Sequence, residues 1–217
     1  MSYAVPDQIS VFHITHVDNL HRIVADEGLL ADSIMVARGG PATSIGMTDI
    51  KLARLTKRRV KCFPDDFVGE YVPFFYCPRS IMLYLFHMDN HPGLTYHGGQ
   101  GPIVHLEADV HEIIEWAERD GRRWAFSIGN AGAVLTPFGG RIDGFENIDW
   151  AAVANHDFRT EHVKEHKQSE FLVFESVPWS LIREIGVMTE AVRAQVLHAL
   201  DGAEHCPDVN VRREWYF

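Results

Sequence analysis

Cysteine is scarce in this 217-residue chain, and the few thiols present are poorly placed to staple or to hold a metal. Cys62, Cys77 and Cys206 are odd in number, widely spaced, and include no CxxC pair. A disulfide framework is thereby excluded, and reduced, partly buried thiols are expected. Long hydrophobic runs are also missing. The longest, IMLYLF at 81–86, is far too short to span a bilayer. The opening MSYAVPDQIS has no basic segment followed by an apolar run. A soluble, cytoplasmic protein with no membrane partner is expected. No GxGxxG follows a strand and no GxxxxGK[ST] occurs, which argues against the common phosphate-loop nucleotide folds. There is no HExxH, and His13 and His16 lie three apart on a strand-to-turn segment where they diverge. No metal is therefore expected. With no internal repeat and no low-complexity tract, residues 1–217 read as a single domain.

What is present suits a packed core: 46% hydrophobic residues, with 13 Phe, 6 Tyr and 5 Trp. The net charge of −10 argues against a nucleic-acid partner. Its distribution argues the other way. Lys51, Arg54, Lys57, Arg58, Arg59 and Lys61 lie within eleven residues that contain no acid. A concentrated basic strip on an acidic body makes an asymmetric field that steers a polyanion to one face. A solvated helix face is the plainer reading of the same strip.

Short strands are scattered among helices without βαβ alternation, so the class is α+β. Strands are expected at 9–14, 71–77, 102–107, 170–175 and 185–188, with Pro73 pointing to an edge or bulge position for the second. Helices are expected at 19–27, capped by Asp18 and closed by Gly28, at 47–59, at 81–87 behind Ser80, at 110–119 and at 190–200. Residues 129–145, rich in glycine, read as a long excursion.

Three constellations carry candidate chemistry. In HITH, 13–16, strand alternation puts His13 and Thr15 on one face, where an imidazole and a hydroxyl can hydrogen-bond a ribose or a carboxamide. In QSE, 168–170, Gln168 and Glu170 share a face at the entrance of the apolar run FLVF. A carboxylate there carries a desolvation cost, and it is the group that an oxocarbenium-like transition state at a ribose requires. Arg54 offers a planar fork suited to oxyanions. Phe74, Tyr76 and Tyr84 are aromatics for stacking a nicotinamide or a splayed base, or for the core.

With those residues in view, the chain resembles the DarT DNA ADP-ribosyltransferases. The resemblance runs in order through HITHVDNL at 13–20, GLLA at 28–31, YVPFFYCPRSIMLYLFH at 71–87, YHGGQGPIVHL at 96–106, QSEFLVFE at 168–175 and VNVRREWYF at 209–217. It implies the ADP-ribosyltransferase fold, a split and bent β core around an NAD cleft. It implies a toxin that transfers ADP-ribose from NAD to a base of single-stranded DNA, thymine being the expected base, and a macrodomain antitoxin of the DarG type as partner. By resemblance, His13, Ile14, Thr15 and Leu30 grip NAD, Arg54 closes over it and takes part in catalysis, and Glu170 is the catalytic glutamate. Lys51, Lys57 and Arg58 are the neighbouring basic residues expected to meet DNA, and a loop spanning roughly 122–169 is expected to recognise the substrate. The sequence departs from the family at Ile81, where many relatives have proline, and at Arg22, where a small residue would approach NAD more easily; no cofactor role is assigned to Arg22.

The same residues fit an NAD glycohydrolase, or an ADP-ribosyltransferase acting on guanine, RNA or protein. A nucleic-acid-binding module without turnover, and a zinc hydrolase, are the readings outside this class.

Overall fold

A computed structural model describes residues 3–157 and 159–217. Its organising feature is an eight-stranded sheet that is continuous in order yet split in the middle. One half carries β1 (Ser10–His16), β6 (Ile103–Asp109), β11 (Glu184–Val187) and β12 (Asp208–Val211). The other carries β5 (Tyr71–Phe75), β7 (Trp124–Asn130), β8 (Phe138–Gly139) and β9 (Ser169–Phe174). The order is β12-β11-β6-β1-β5-β9-β7-β8. All neighbours run antiparallel except the parallel pair β11 and β12.

The split lies between β1 and β5. β1 is in register with β6 from Ser10 to His16, but with β5 only where Phe12 faces Phe75. Pro73 explains the difference. It has no N–H to give β1, and its carbonyl instead accepts a hydrogen bond from His13 Nδ1 at 2.9 Å. The expected edge position for Pro73 is thus corrected: β5 is internal, and the proline sits where two internal strands part.

Two small sheets flank the large one. β2 (Gly28–Leu30) pairs with β10 (Ser176–Pro178), and β3 (Arg59–Val60) pairs with β4 (Phe63–Phe67). Gly28 does not close the preceding helix. It lies in β2 against β10, where a Cβ would come within 2.4 Å of the Val177 carbonyl oxygen. The left-handed residue after the helix is Glu27, with φ 54°.

The helices are α1 (Leu20–Ala25), α2 (Asp32–Ala37), α3 (Thr48–Thr56), α4 (Ile81–Met88), α5 (Val110–Arg119), α6 (Trp150–Ala154), α7 (Glu161–His166) and α8 (Glu190–Ala199). Ser80 caps α4 as its sequence predicts, accepting from Leu83 N at 3.2 Å. Asp18 does not cap α1. It lies in a short 3-10 turn, and its carboxylate accepts from Thr43 Oγ1. α5 buries Val110, Ile113, Ile114, Trp116 and Ala117, the i, i+3, i+4 pattern of a helix lying on a core. Phe126, Phe145 and Phe171 fill that core and are almost wholly enclosed. Burial of each side chain contributes about 2–3 kcal/mol.

Residues 122–169 are not one loop. They contain β7, which pairs with β9, then β8, α6 and α7. Trp124, Ala125 and Phe126 are buried, which gives this strand its reason to join the sheet. None of the described helices is long and apolar enough to cross a membrane.

Candidate active site

Where β1 and β5 part, a cleft of about 310 Å³ opens. His13, Ile14 and Thr15 reach it from β1, Leu30 from β2, Asp32 from α2, and Lys51 and Arg54 from α3. Pro73 and Phe75 supply its floor from β5, and Asn130, Gln168 and Glu170 close its far side.

Glu170 is the most constrained group in the cleft. It is the second residue of β9 and 3% exposed. Arg54 grips it with both arms of the guanidinium, Nη1 to Oε1 at 3.0 Å and Nη2 to Oε2 at 2.8 Å. Oε1 also accepts from the backbone N–H of Ala131 at 3.0 Å. A carboxylate offers about four lone-pair sites. Three are used by the described residues, and the remaining one is on Oε2. The strand position is fixed by Glu170 N–H donating to Ser127 Oγ at 3.1 Å.

Arg54 keeps its proton. Burial disfavours its charged form, but Glu170, by charge and hydrogen bonding, and Asp32 outweigh that and raise its pKa above the ordinary arginine value. Asp32 is itself paired with Lys51, Nζ to Oδ1 at 2.7 Å. Two ion pairs thus line one side of the cleft.

Across from them stands the His13–Thr15 face. Burial lowers the His13 pKa, the Pro73 carbonyl and Asp32 opposing that only in part, so the ring is neutral at pH 7. The carbonyl of Pro73 can only accept, so Nδ1 carries the proton and Nε2 holds a lone pair. Thr15 Oγ1 accepts from Asn19 Nδ2 at 3.0 Å, which leaves its own hydroxyl proton to donate. Asn19 is pinned in turn to Thr43, Nδ2 to the carbonyl at 2.8 Å and Oδ1 from the N–H at 2.9 Å. The strand face therefore presents one acceptor and one donor side by side, the complement of a carboxamide or a sugar hydroxyl.

The cleft gathers His13, Ile14, Thr15, Leu30, Lys51, Arg54 and Glu170, all singled out in the sequence. It does not gather Lys57 or Arg58. Helix α3 stops at Thr56, so the basic run does not form one helical face. Lys57 is exposed at the helix end. Arg58 turns back, donating from Nε to the Gly132 carbonyl at 2.7 Å. Arg59 donates to the Asp65 carbonyl at 2.6 Å and stacks its guanidinium on Phe67. Phe74 and Tyr76 are buried core residues, and Tyr84 packs edge-on against Phe217. Alternation along β5 explains this: the cleft receives Pro73 and Phe75, and Phe74 faces away. Arg22 does line the cleft, with its guanidinium tied to the carbonyls of Gly40 and Arg38. Among the described residues, no three His, Cys, Asp or Glu side chains are gathered as metal ligands would be.

Asp32, Asn19 and Asn130 were not read as site residues from the sequence. Asn19 lies within the quoted segment HITHVDNL and Asp32 directly follows GLLA, which was the available signal. Asn130 ends a strand that glycine-rich surroundings concealed.

Comparison with known proteins accords with this geometry. The family described as "ssDNA thymidine ADP-ribosyltransferase, DarT" matches residues 12–217. A DNA ADP-ribosyl transferase of Thermus sp. (strain 2.9) is 32% identical over 221 residues, covering 100% of both chains. The structure of Thermus sp. 2.9 DarT in complex with ADP-ribosylated ssDNA superimposes with a TM-score of 0.88, at 30% identity and full coverage of both chains. That of Thermus sp. 2.9 DarT in complex with NAD+ gives 0.81, at 28% identity, covering 99% of this chain and 100% of that one. With the match running from the first strand to the last residue, the chain belongs to the DarT family of single-stranded-DNA thymidine ADP-ribosyltransferases.

Proposed function

We propose that this protein transfers ADP-ribose from NAD to thymine in single-stranded DNA and releases nicotinamide, with Glu170, Arg54, His13 and Thr15 as the working groups. The observation that carries the reading is the state of Glu170: a buried carboxylate at a cleft, held on three sides and open on the fourth.

In this reading NAD lies along the His13–Thr15 face. Neutral His13 accepts through Nε2, and the Thr15 hydroxyl donates, which orients the nicotinamide ribose or its carboxamide. Glu170 accepts a ribose hydroxyl on Oε2 and stabilises the positive charge that develops as the bond from C1″ to nicotinamide breaks. N3 of thymine then bonds to C1″. That nitrogen carries a proton at neutral pH and must lose it. Arg54 is a poor acceptor, since its surroundings hold it protonated. It serves as a charge partner for the pyrophosphate and for the developing base anion, while a carboxylate or water takes the proton. Because the N3 edge is hidden in a duplex, single strands are the substrate. Exposed Lys57 supplies a non-specific phosphate contact at the edge of the site. A macrodomain antitoxin of the DarG type is the expected protein partner.

The test is nicotinamide release from NAD with and without a thymine-containing single-stranded oligonucleotide. Release that requires the oligonucleotide and is lost in Glu170→Gln supports the reading. Release independent of DNA moves the assignment to an NAD glycohydrolase.

A further inference from the structure

β7 leaves its register with β9 between Phe126 and Asn130. The bulge is built by Gly129, whose φ of 108° is closed to other residues without strain. Buried hydroxyls fasten it on both strands: Ser127 Oγ donates to the Gly129 carbonyl at 2.6 Å, and Gly129 N–H donates to Ser169 Oγ at 2.9 Å. The bulge aims Asn130 into the cleft and carries the chain into the turn 130–132.

Asn130 then makes two bonds with opposite ends of one amide. Its Oδ1 accepts from Gly132 N–H at 2.7 Å, closing an Asx turn. Its Nδ2 donates to Gln168 Oε1 at 3.0 Å. Gln168 Nε2 donates in turn to the Lys164 carbonyl at 2.9 Å. Inside this turn lies Ala131, 1% exposed, whose N–H meets Glu170 Oε1. Arg58 holds the same turn from outside through the Gly132 carbonyl.

We infer that Asn130 is a positioning residue for transfer: by closing the 130–132 turn and bridging to Gln168, it holds the Ala131 N–H on Glu170 Oε1 and so reserves Oε2 for the ribose. Asn130 touches neither reacting atom. Without it the turn keeps only the Ala133 N–H and Thr136 hydroxyl on the Asn130 carbonyl and Arg58 on Gly132, so the Ala131 N–H drifts from the carboxylate and Glu170 is held by Arg54 alone. The inference rests on the proposed role of Glu170.

The test uses the full chain as wild type, Asn130→Ala and Asn130→Ser, since serine keeps a short acceptor for Gly132 N–H but loses the bridge to Gln168. Transfer to a thymine oligonucleotide is read as kcat and KM for NAD, and exchange of the Ala131 amide proton is followed by NMR. In Asn130→Ala, kcat is expected to fall about 10- to 100-fold, as misplacement of a catalytic group does. KM for NAD is expected to move far less, and Ala131 exchange to accelerate while core amides keep their protection. Asn130→Ser recovers part of both. An unchanged kcat in Asn130→Ala overturns the inference. So does unchanged Ala131 exchange, or acceleration shared equally by every core amide, which would mark a global loss of stability. Should wild type show no transfer, the proposed function fails, and the Ala131 exchange still decides whether Asn130 holds the turn.

Discussion

Removing the Glu170 carboxylate should destabilise the protein by an amount its surroundings define. Glu170→Ala strips three hydrogen bonds at once. It leaves a guanidinium only 13% exposed without its anion, and orphans the buried Ala131 N–H. Breaking a buried pair from one side costs about 3–5 kcal/mol, and an unsatisfied buried N–H costs about 1–3 kcal/mol. These losses overlap, so a total of about 4 kcal/mol is expected. Arg54→Ala strands the carboxylate and costs about the same. The double variant strands no charge. Its loss should fall short of the sum of the single losses by at least about 2 kcal/mol. Glu170→Gln keeps an oxygen for Ala131 and one arm of Arg54 but turns an amide NH2 toward the other arm, so it should lose only about 1–3 kcal/mol. Urea unfolding of the four variants and wild type measures these differences through the midpoint at constant slope. A Glu170→Ala protein within about 0.5 kcal/mol of wild type, or strictly additive losses in the double variant, would refute the buried pair.

Three further outcomes follow from other parts of the molecule. Arg54→Ala should impair transfer far more than Lys57→Ala, since only Arg54 reaches the cleft, whereas Lys57→Ala should lower the salt dependence of DNA binding by about one unit of slope; equal losses of transfer would contradict the geometry. His105 is wholly buried, donates through Nε2 to the Pro78 carbonyl, and finds no hydrogen-bond partner for Nδ1 among the described residues; burial lowers its pKa to about 4, with the Pro78 bond opposing. The unfolded chain takes up this proton near pH 6.5 and the folded one only near 4. Stability should therefore be full above pH 6.5 and fall by about 3 kcal/mol as the pH drops to 4, a loss that His105→Leu should flatten in pH-dependent urea melts and that an unchanged slope would disprove. Gly28→Ala must push β2 from β10, because the new methyl would lie 2.4 Å from the Val177 oxygen; a cost of about 1–3 kcal/mol is expected in thermal or urea unfolding, and a neutral substitution would mean the two strands are not packed as described.

The legible parts of the chain were those where one local pattern sufficed. HITH and QSE each sit on a strand whose alternation assigns their faces, and both faces meet the cleft. Ser80 announced its helix because a cap is a local bond. What stayed hidden depended on partners distant in sequence. Arg54 and Glu170 were each visible as chemistry, yet their pairing spans 116 residues. Pro73 looked like a marker of an edge or a bulge because local rules do not include a sheet that splits internally at a proline. Residues 57–59 looked helical because charge does not show where a helix stops. β7 was lost in a glycine-rich surround, although WAF at 124–126 is apolar enough to be buried, and with it went Asn130.

Mass spectrometry of short oligonucleotides incubated with the protein and NAD (T-only, G-containing, T-free and duplex) reads both the acceptor and the modified base. A gain of one ADP-ribose is expected on thymine-containing single strands, lost in Glu170→Gln and absent from the duplex. A gain only on guanine would contradict the assigned base, and NAD consumption without any DNA adduct would contradict DNA as the acceptor.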